Sequence, residues 1–232
     1  MIAAVHQPQY LPWIGYFDKM DAADVFVLLD GVQYKKNEWQ NRNRIGGKSG
    51  AQWLTVPVHY KFGQLIREIE IDNKTNWRNK HAQAIKTCYS RAPFYAEHEG
   101  AIGAILSREW TKLSELNCLF IRELAGILGI ETRLAMAGDV PAKGRKTERL
   151  VEICRGLGAD VYLSGQGARD YLEPALFERA GIELRFQNFA CPAYSQIYTA
   201  QGAPFDPNLS VVDLVMNCGP ESLPIIRSGR KR

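Results

Sequence analysis

The chain of 232 residues is 46% hydrophobic and 23% charged, the balance of an ordinary globular protein long enough to bury a sizeable core. Its apolar runs fall far short of the roughly 20 residues a membrane span requires, Met1 leads into an apolar run without a basic leader, and the five cysteines include no C-x-x-C pair, so a cytoplasmic protein with reduced thiols is expected. The net charge of +4 suits an anionic small-molecule partner such as a nucleotide or sugar nucleotide, and it argues against nucleic acid because Arg227, Arg230, Lys231 and Arg232 supply much of it at one end.

In chain order, Ile2 to Val5 and Val25 to Leu29 are β-prone apolar runs, and between them Ile14, Phe17, Met20 and Ala23 share one helical face. This predicts a β-α-β unit. Gly31 to Gly50 is rich in Lys, Arg, Asn and Gln and ends in Gly46-Gly47-Lys48-Ser49-Gly50, so it reads as a functional loop or hairpin too polar for the core. Trp53 to Val58 and Ile66 to Ile71, with Gly63 between them, are expected to pair antiparallel and extend the sheet. Helices are predicted from Asn76 to Tyr89, Ala101 to Trp110 and Leu113 to Leu128, the last stopped by Gly129. The pattern then alternates: strand Thr132 to Ala137, helix Lys146 to Leu157, strand Val161 to Ser164, helix Glu173 to Ala180, strand Glu183 to Phe189. The expected fold class is α/β, a Rossmann-like, mostly parallel sheet flanked by helices, with a helical insertion in the middle of the chain. Residues 1–226 would form one domain, with the insertion at about 76–130, and 227–232 a basic tail.

In open α/β sheets ligands bind at the carboxyl ends of strands, which places His6, Gln7, Tyr10, Asp30 and Gln33 at the expected crevice. The turn His6-Gln7-Pro8-Gln9-Tyr10-Leu11-Pro12 is stiffened by two prolines and precedes a helix N-terminus, an arrangement suited to anions. Its plainer reading is that His6 caps the sheet and Tyr10 is packing. Asp30 could orient a histidine or hold a sugar hydroxyl; Asp30-Gly31 is also a common turn pair. Lys35, Trp39, Asn41, Arg42 and Arg44 interleave forks, amides and an indole, the makings of a lid over a nucleotide or nucleotide sugar. The plainer alternative is a solvated charged loop. Ser164, Gly165, Gln166 and Arg169 form a strand-to-helix turn open to a phosphate, although Gly-x-Gly also serves plain turns and neither a Walker A loop nor Gly-x-Gly-x-x-Gly is present. No His or Cys spacing fits a metal. Cys118 and Cys154 fall in apolar helical patterns expected in the core; His59, His81 and His98 read as surface or helix decoration.

Three stretches give the chain a family likeness: His6-Gln-Pro-x-Tyr10-Leu-Pro-x-x-Gly15-Tyr-Phe-x-Lys19, then Asp30-x-Val-Gln33-Tyr34 with Trp39-Gln-Asn-Arg-Asn-Arg44, and finally Leu209-Ser210-Val-Val-Asp213-Leu-x-x-Asn217-x-Gly219. Through them the chain resembles the WbqC-like protein family. That resemblance implies bacterial cell-surface polysaccharide pathways and transfer of an acyl or aminoacyl group onto an amino sugar or similar amine, and it brings no agreed catalytic residues. The opening layout is also similar to adenylyl-transferring enzymes of the pantothenate synthetase type, but Gln9 and Trp13 stand where a second histidine would be expected. ATP and acyl-CoA are therefore the two candidate cofactors. The leading expectation is a transferase with His6 as general base or phosphate contact, Asp30 as its orienter or a hydroxyl ligand, Tyr10 beside them, and Arg42, Arg44 and Arg169 as anion clamps. Its rival is a non-catalytic module that binds a nucleotide sugar or RNA through Lys35 to Arg44.

Overall fold

Five parallel strands make the central sheet: β1 (Ile2–His6), β2 (Val25–Leu28), β7 (Arg133–Met136), β8 (Val161–Ser164) and β9 (Glu183–Phe186), in the spatial order β7-β2-β1-β8-β9. The computed structural model describes residues 1–48, 50–199 and 202–231; Ser49 of the glycine-rich stretch and Arg232 of the basic end lie outside them. Taken in chain order the strands run 3-2-1-4-5, the Rossmann-like order, and the direction of growth reverses between β1 and β8.

Alternation along each strand sorts the side chains into two layers. Ala3, Val5, Val25 and Val27 meet α5 (Lys146–Leu157) and α6 (Pro174–Arg179) on one face. Ala4, Phe26 and Leu28 meet α1 (Ile14–Asp21) and a second core on the other. That second core contains α2 (Trp77–Tyr89), α3 (Tyr95–Ser107), α4 (Leu113–Leu128), α7 (Val211–Cys218) and α8 (Ser222–Ser228). The three helices read between Asn76 and Leu128 are thus present, with α3 starting at Tyr95 and ending at Ser107. Gly129 and Gly158 close α4 and α5 with φ of 73° and 71°, the left-handed cap that glycine adopts without penalty.

Two expectations fail between residues 31 and 71. The runs Trp53 to Val58 and Ile66 to Ile71 do not join the central sheet. β4 (Gln52–Thr55) pairs with β3 (Arg42–Ile45), while β5 (Val58–His59) pairs with β6 (Glu70–Ile71), giving two separate antiparallel ribbons. Pro57 has no N–H to carry a ladder through, so the two halves of its run pair with different partners. The polar stretch is also not excluded from the core: Gln40, Asn41 and Asn43 are all at most 4% exposed. Their amides are buried because each is matched to a main-chain group.

The end of the chain is docked rather than loose. Arg230 Nε donates to Asp18 Oδ1 at 2.6 Å, and Arg227 grips Asp21 with two hydrogen bonds of 2.9 and 2.8 Å. Burial raises the Asp18 pKa, and hydrogen bonds from Gln187 and Arg230 oppose that rise. Among the described residues no helix is long and apolar enough to cross a membrane. Replacing Arg230 by Ala leaves Asp18 buried with only Gln187 as donor, so the urea midpoint should fall by the equivalent of about 2–3 kcal/mol.

Candidate functional site

The polar turn after β1 is held from every side. Gln40 Nε2 donates to Gln7 Oε1 (2.6 Å), Asn117 Nδ2 to Pro8 O (3.3 Å) and to Gln40 O (2.7 Å), and Asn43 Nδ2 to Leu11 O (2.7 Å). Tyr10 N donates to Trp39 O at 3.0 Å and Val211 N to Pro12 O at 2.8 Å. Leu11 carries a φ of 43°, a strained left-handed conformation for a leucine that persists only when its surroundings fix it. Its side chain is fully buried, and its carbonyl is the one that Asn43 holds.

His6 packs edge-on against Tyr16 (4.6 Å between centroids) and parallel to Phe26 (6.5 Å). Burial, reinforced by the Lys19 cation, holds its pKa well below the ordinary 6.5, so the imidazole is neutral. Nδ1 lies 3.1 Å from Gln7 O; a carbonyl can only accept, so Nδ1 carries the proton and Nε2 keeps its lone pair. Lys19, which sequence reading left out of the site, donates to Val5 O at 3.0 Å and is pushed by burial down to about 7.

The other expected residues divide into groups. Asp30 does not orient His6: its Oδ2 accepts from Ser114 Oγ at 2.8 Å. Tyr10 is fully buried, and its phenol shares a 2.8 Å hydrogen bond with Nδ1 of a buried His81, whose pKa burial lowers to about 4. His81 is therefore no decoration. Gln33 is exposed and bridges to Leu65, Lys35 N donates to Gln40 Oε1 at 2.9 Å, and Asn41 Nδ2 donates to Val56 O at 2.9 Å. Ser164 is buried, its Oγ donating weakly to Gly165 O (3.4 Å); Gln166 donates to Gln187 O, and Arg169 Nε donates to Gln166 Oε1 (2.6 Å) while lying over Phe186. That turn satisfies its own polar groups and makes no hydrogen bond to His6 among the described residues.

The open feature beside the polar turn is a cleft of about 300 Å³ lined by Gln9, Trp13, Trp39 and Asn208. Trp13 is fixed edge-to-face against Phe189 and lies across Gly15, where a Cβ would sit 2.3 Å from the indole. Trp39 is 40% exposed and pairs with Trp53, 47% exposed, at 5.7 Å and 29°. Arg44 reaches Asp206 Oδ1 (3.4 Å) and Asn208 O (3.3 Å), holding the segment that forms the far wall.

The other side of that segment faces a second cleft of about 250 Å³, lined in part by Gly46, Gly47, Asp206, Leu209 and Asp213. Asp213 is fully buried and accepts from Tyr89 (2.9 Å) and Tyr194 (2.9 Å), with no cation in salt-bridge range among the described residues. Burial drives its pKa up to about 6 against those two hydrogen bonds. A Cβ at Gly46 would come within 2.9 Å of Asp213 Oδ1, which accounts for glycine there. The sequence signal that marks Asp213 is a carboxylate within the apolar run Val211-Val-Asp-Leu-Val-Met216. Nothing local marks Asn208, which meets Gln9 only in the fold. Among the described residues no group of three or more His, Cys, Asp or Glu is placed to hold a metal.

The model of the family described as "WbqC-like protein family" matches residues 7–225. The chain is 38% identical over 232 residues to a Mycobacterium tuberculosis (strain ATCC 25618 / H37Rv) protein described as "Uncharacterized protein Rv1507c", covering 98% of each. No solved structure matches.

Two substitutions separate structure from chemistry. Tyr10→Phe leaves Nδ1 of His81 without its partner and should cost about 1–2 kcal/mol in urea unfolding, while ligand binding at the Trp39 cleft stays unchanged. Asp213 has a folded pKa above its unfolded value, so the native state takes up a proton on falling through about pH 6. The stability that protonation contributes is present below about pH 4 and is lost as pH rises to 6. Asp213→Asn should therefore flatten the unfolding midpoint between pH 4 and 6 and raise stability at pH 7 by on the order of 2 kcal/mol, measured against wild type at each pH.

Proposed function

Because the chain belongs to the WbqC-like protein family, we propose that it serves cell-surface polysaccharide biosynthesis by transferring an acyl or aminoacyl group onto the amine of an amino sugar, whose ring sits between Trp13 and Trp39. The composition of the 300 Å³ cleft carries this reading. A pyranose has a face of C–H groups and an edge of hydroxyls. Indole surfaces suit the first, and side-chain amides such as Gln9 and Asn208, which both donate and accept, suit the second. The rigid turn supports the same reading, since a pre-ordered wall lowers the entropy lost on binding.

His6 is the base in this scheme. The neutral amine attacks the carbonyl carbon of an activated acyl donor, a thioester, acyl phosphate or aminoacyl ester. The new N–C bond forms, the bond to the leaving group breaks with its electron pair, and Nε2 of His6 takes the proton that the nitrogen sheds. An amine that has added to a carbonyl is acidic, so an imidazole with a lowered pKa still accepts its proton. Lys19, poised near neutrality beside His6, keeps the histidine uncharged between turnovers.

A thermal-shift screen tests the ligand class. Sugar nucleotides with a free amine should raise the melting temperature of the wild type by several degrees and that of Trp39→Ala by much less; stabilisation by ATP or acetyl-CoA alone would count against the amino-sugar cleft. His6→Asn keeps an amide donor for Gln7 O but has no basic nitrogen. It should retain the ligand-induced shift and lose at least about 100-fold in turnover.

A further inference from the structure

One face of the β3–β4 ribbon gathers two guanidinium groups around an exposed indole. Arg42 and Arg44 alternate on the same side of β3, and Arg44 lies directly opposite Trp53 in the antiparallel register. The Arg42 guanidinium sits 4.3 Å from the centre of the Trp53 ring and that of Arg44 5.9 Å from it. Arg42 has no carboxylate within salt-bridge distance and no hydrogen-bond partner for Nε among the described residues. Arg44 makes only long contacts, 3.4 Å to Asp206 and 3.3 Å to Asn208 O. Next to them the half-exposed Trp39–Trp53 pair offers aromatic surface, and Trp39 is also a wall of the sugar cleft.

We propose that this face binds the nucleoside diphosphate portion of the substrate: the diphosphate lies across Arg42 and Arg44, and the base packs on the exposed surface of the Trp39–Trp53 pair. This rests on the preceding reading, because the sugar attached to that diphosphate then enters the Trp13–Trp39 cleft. The charge is suited to the task. Guanidinium forks match phosphate oxygens bidentately, stacking on an indole holds the fork in place, and two forks on one strand suit two linked phosphates. The aromatic pair supplies base stacking, which tolerates any base. Extent distinguishes a nucleotide from a polynucleotide. Single-stranded RNA needs a basic track several nucleotides long, whereas here Arg227 and Arg230 are spent on Asp18 and Asp21, and Arg42 and the loosely held Arg44 adjoin a single cleft.

Calorimetric titrations with UDP, UMP, glucosamine and oligo(U), each at low and high salt, test the assignment. Trp53 is 47% exposed and Arg42 is half-buried without a hydrogen-bond partner for its Nε, so Arg42→Ala and Trp53→Ala should keep the wild-type circular dichroism spectrum, and Arg42→Lys serves as the charge-conserving control. UDP should bind the wild type more tightly than UMP, and Arg42→Ala should weaken UDP about tenfold and reduce its salt dependence. Trp53→Ala should weaken both UMP and UDP, through the base that both carry, and UDP at least as much because the Arg42 fork also loses the indole it lies on. Arg42→Lys should recover part of the affinity, since it restores charge without the fork. Glucosamine affinity should be unaffected by Arg42→Ala and lost in Trp39→Ala. The proposal is overturned if UDP does not bind, if it binds Arg42→Ala and Trp53→Ala as well as wild type, or if oligo(U) binds more tightly with a steep salt dependence. Glucosamine binding without UDP binding removes this face and leaves the sugar cleft standing; UDP binding that depends on Arg42 and Trp53 with no glucosamine binding keeps this face and removes the amino-sugar reading.

Discussion

The structure turns on one requirement: the carbonyls of a buried turn that has no sheet or helix partner must each find a donor. Between Val5 and Pro12 the main chain leaves the parallel sheet, carries two prolines and enters α1, with Tyr10 and Leu11 fully buried. A buried carbonyl left unpaired costs about 1–3 kcal/mol. Two donors come from the helix that follows, Lys19 for Val5 O and Tyr16 for Gln7 O, and the others from elements remote in sequence: Asn117 of α4 for Pro8 O, Asn43 of β3 for Leu11 O, and the first residue of α7 for Pro12 O. Satisfying one loop thus fixes how the central helices, the ribbon and the C-terminal helix dock on the sheet. It also makes the loop rigid enough to wall a cleft.

That requirement explains which parts of the molecule were legible in the sequence. Period-2 and period-3.6 patterns report burial by side-chain polarity, and they placed all five strands of the sheet and the helices α1, α2, α4, α5 and α6. They fail where polar side chains are buried because they serve the main chain. Gln40, Asn41 and Asn43 look like solvent-facing residues by composition, yet their amides are interior fittings for backbone groups. The pairing of β3 with β4 was hidden for the same reason, since Arg42-Asn-Arg-Ile45 has no strand-like hydropathy. Candidate site residues were legible as types, not as partners. Trp39, Arg42 and Arg44 stand together because they share one short stretch; Asp30 went to Ser114 of α4, a choice no local pattern contains.

Charge inside the molecule is set by the balance of burial against facing partners. For Asp21 the partners win: burial works against its ionisation, but Arg227 and Arg230 bring its pKa below the ordinary value. For the more deeply buried Asp18 burial wins, and its pKa is raised even beside Arg230. Where no opposite charge faces it, the group moves toward neutrality. Lys19 and His6 do so together on one side of β1, and Asp213 does so under its two tyrosines. Structural ion pairs therefore lie where the C-terminal helix docks, while Lys19 beside the turn and Asp213 beside the second cleft have pKa values displaced toward 7, and His6 is held neutral.

Those two clefts are not independent, because they share a wall. Asn208 faces one and Asp206, Pro207 and Leu209 face the other. Arg44 holds this segment by long contacts, whereas Gln196 holds it firmly, donating to Asp206 O at 2.8 Å and accepting from Asp206 N at 3.0 Å. Gln196 also donates to the Tyr194 hydroxyl at 3.2 Å, and that hydroxyl donates to Asp213. A continuous set of hydrogen bonds therefore runs from the buried carboxylate to the wall that carries Asn208. Tyr194 and Gln196 thus tie the buried carboxylate to that wall. The weak grip of Arg44 leaves that wall set chiefly by the Asp213 side, so the geometry presented to a ligand beside Trp13 and Trp39 is fixed from the neighbouring cleft.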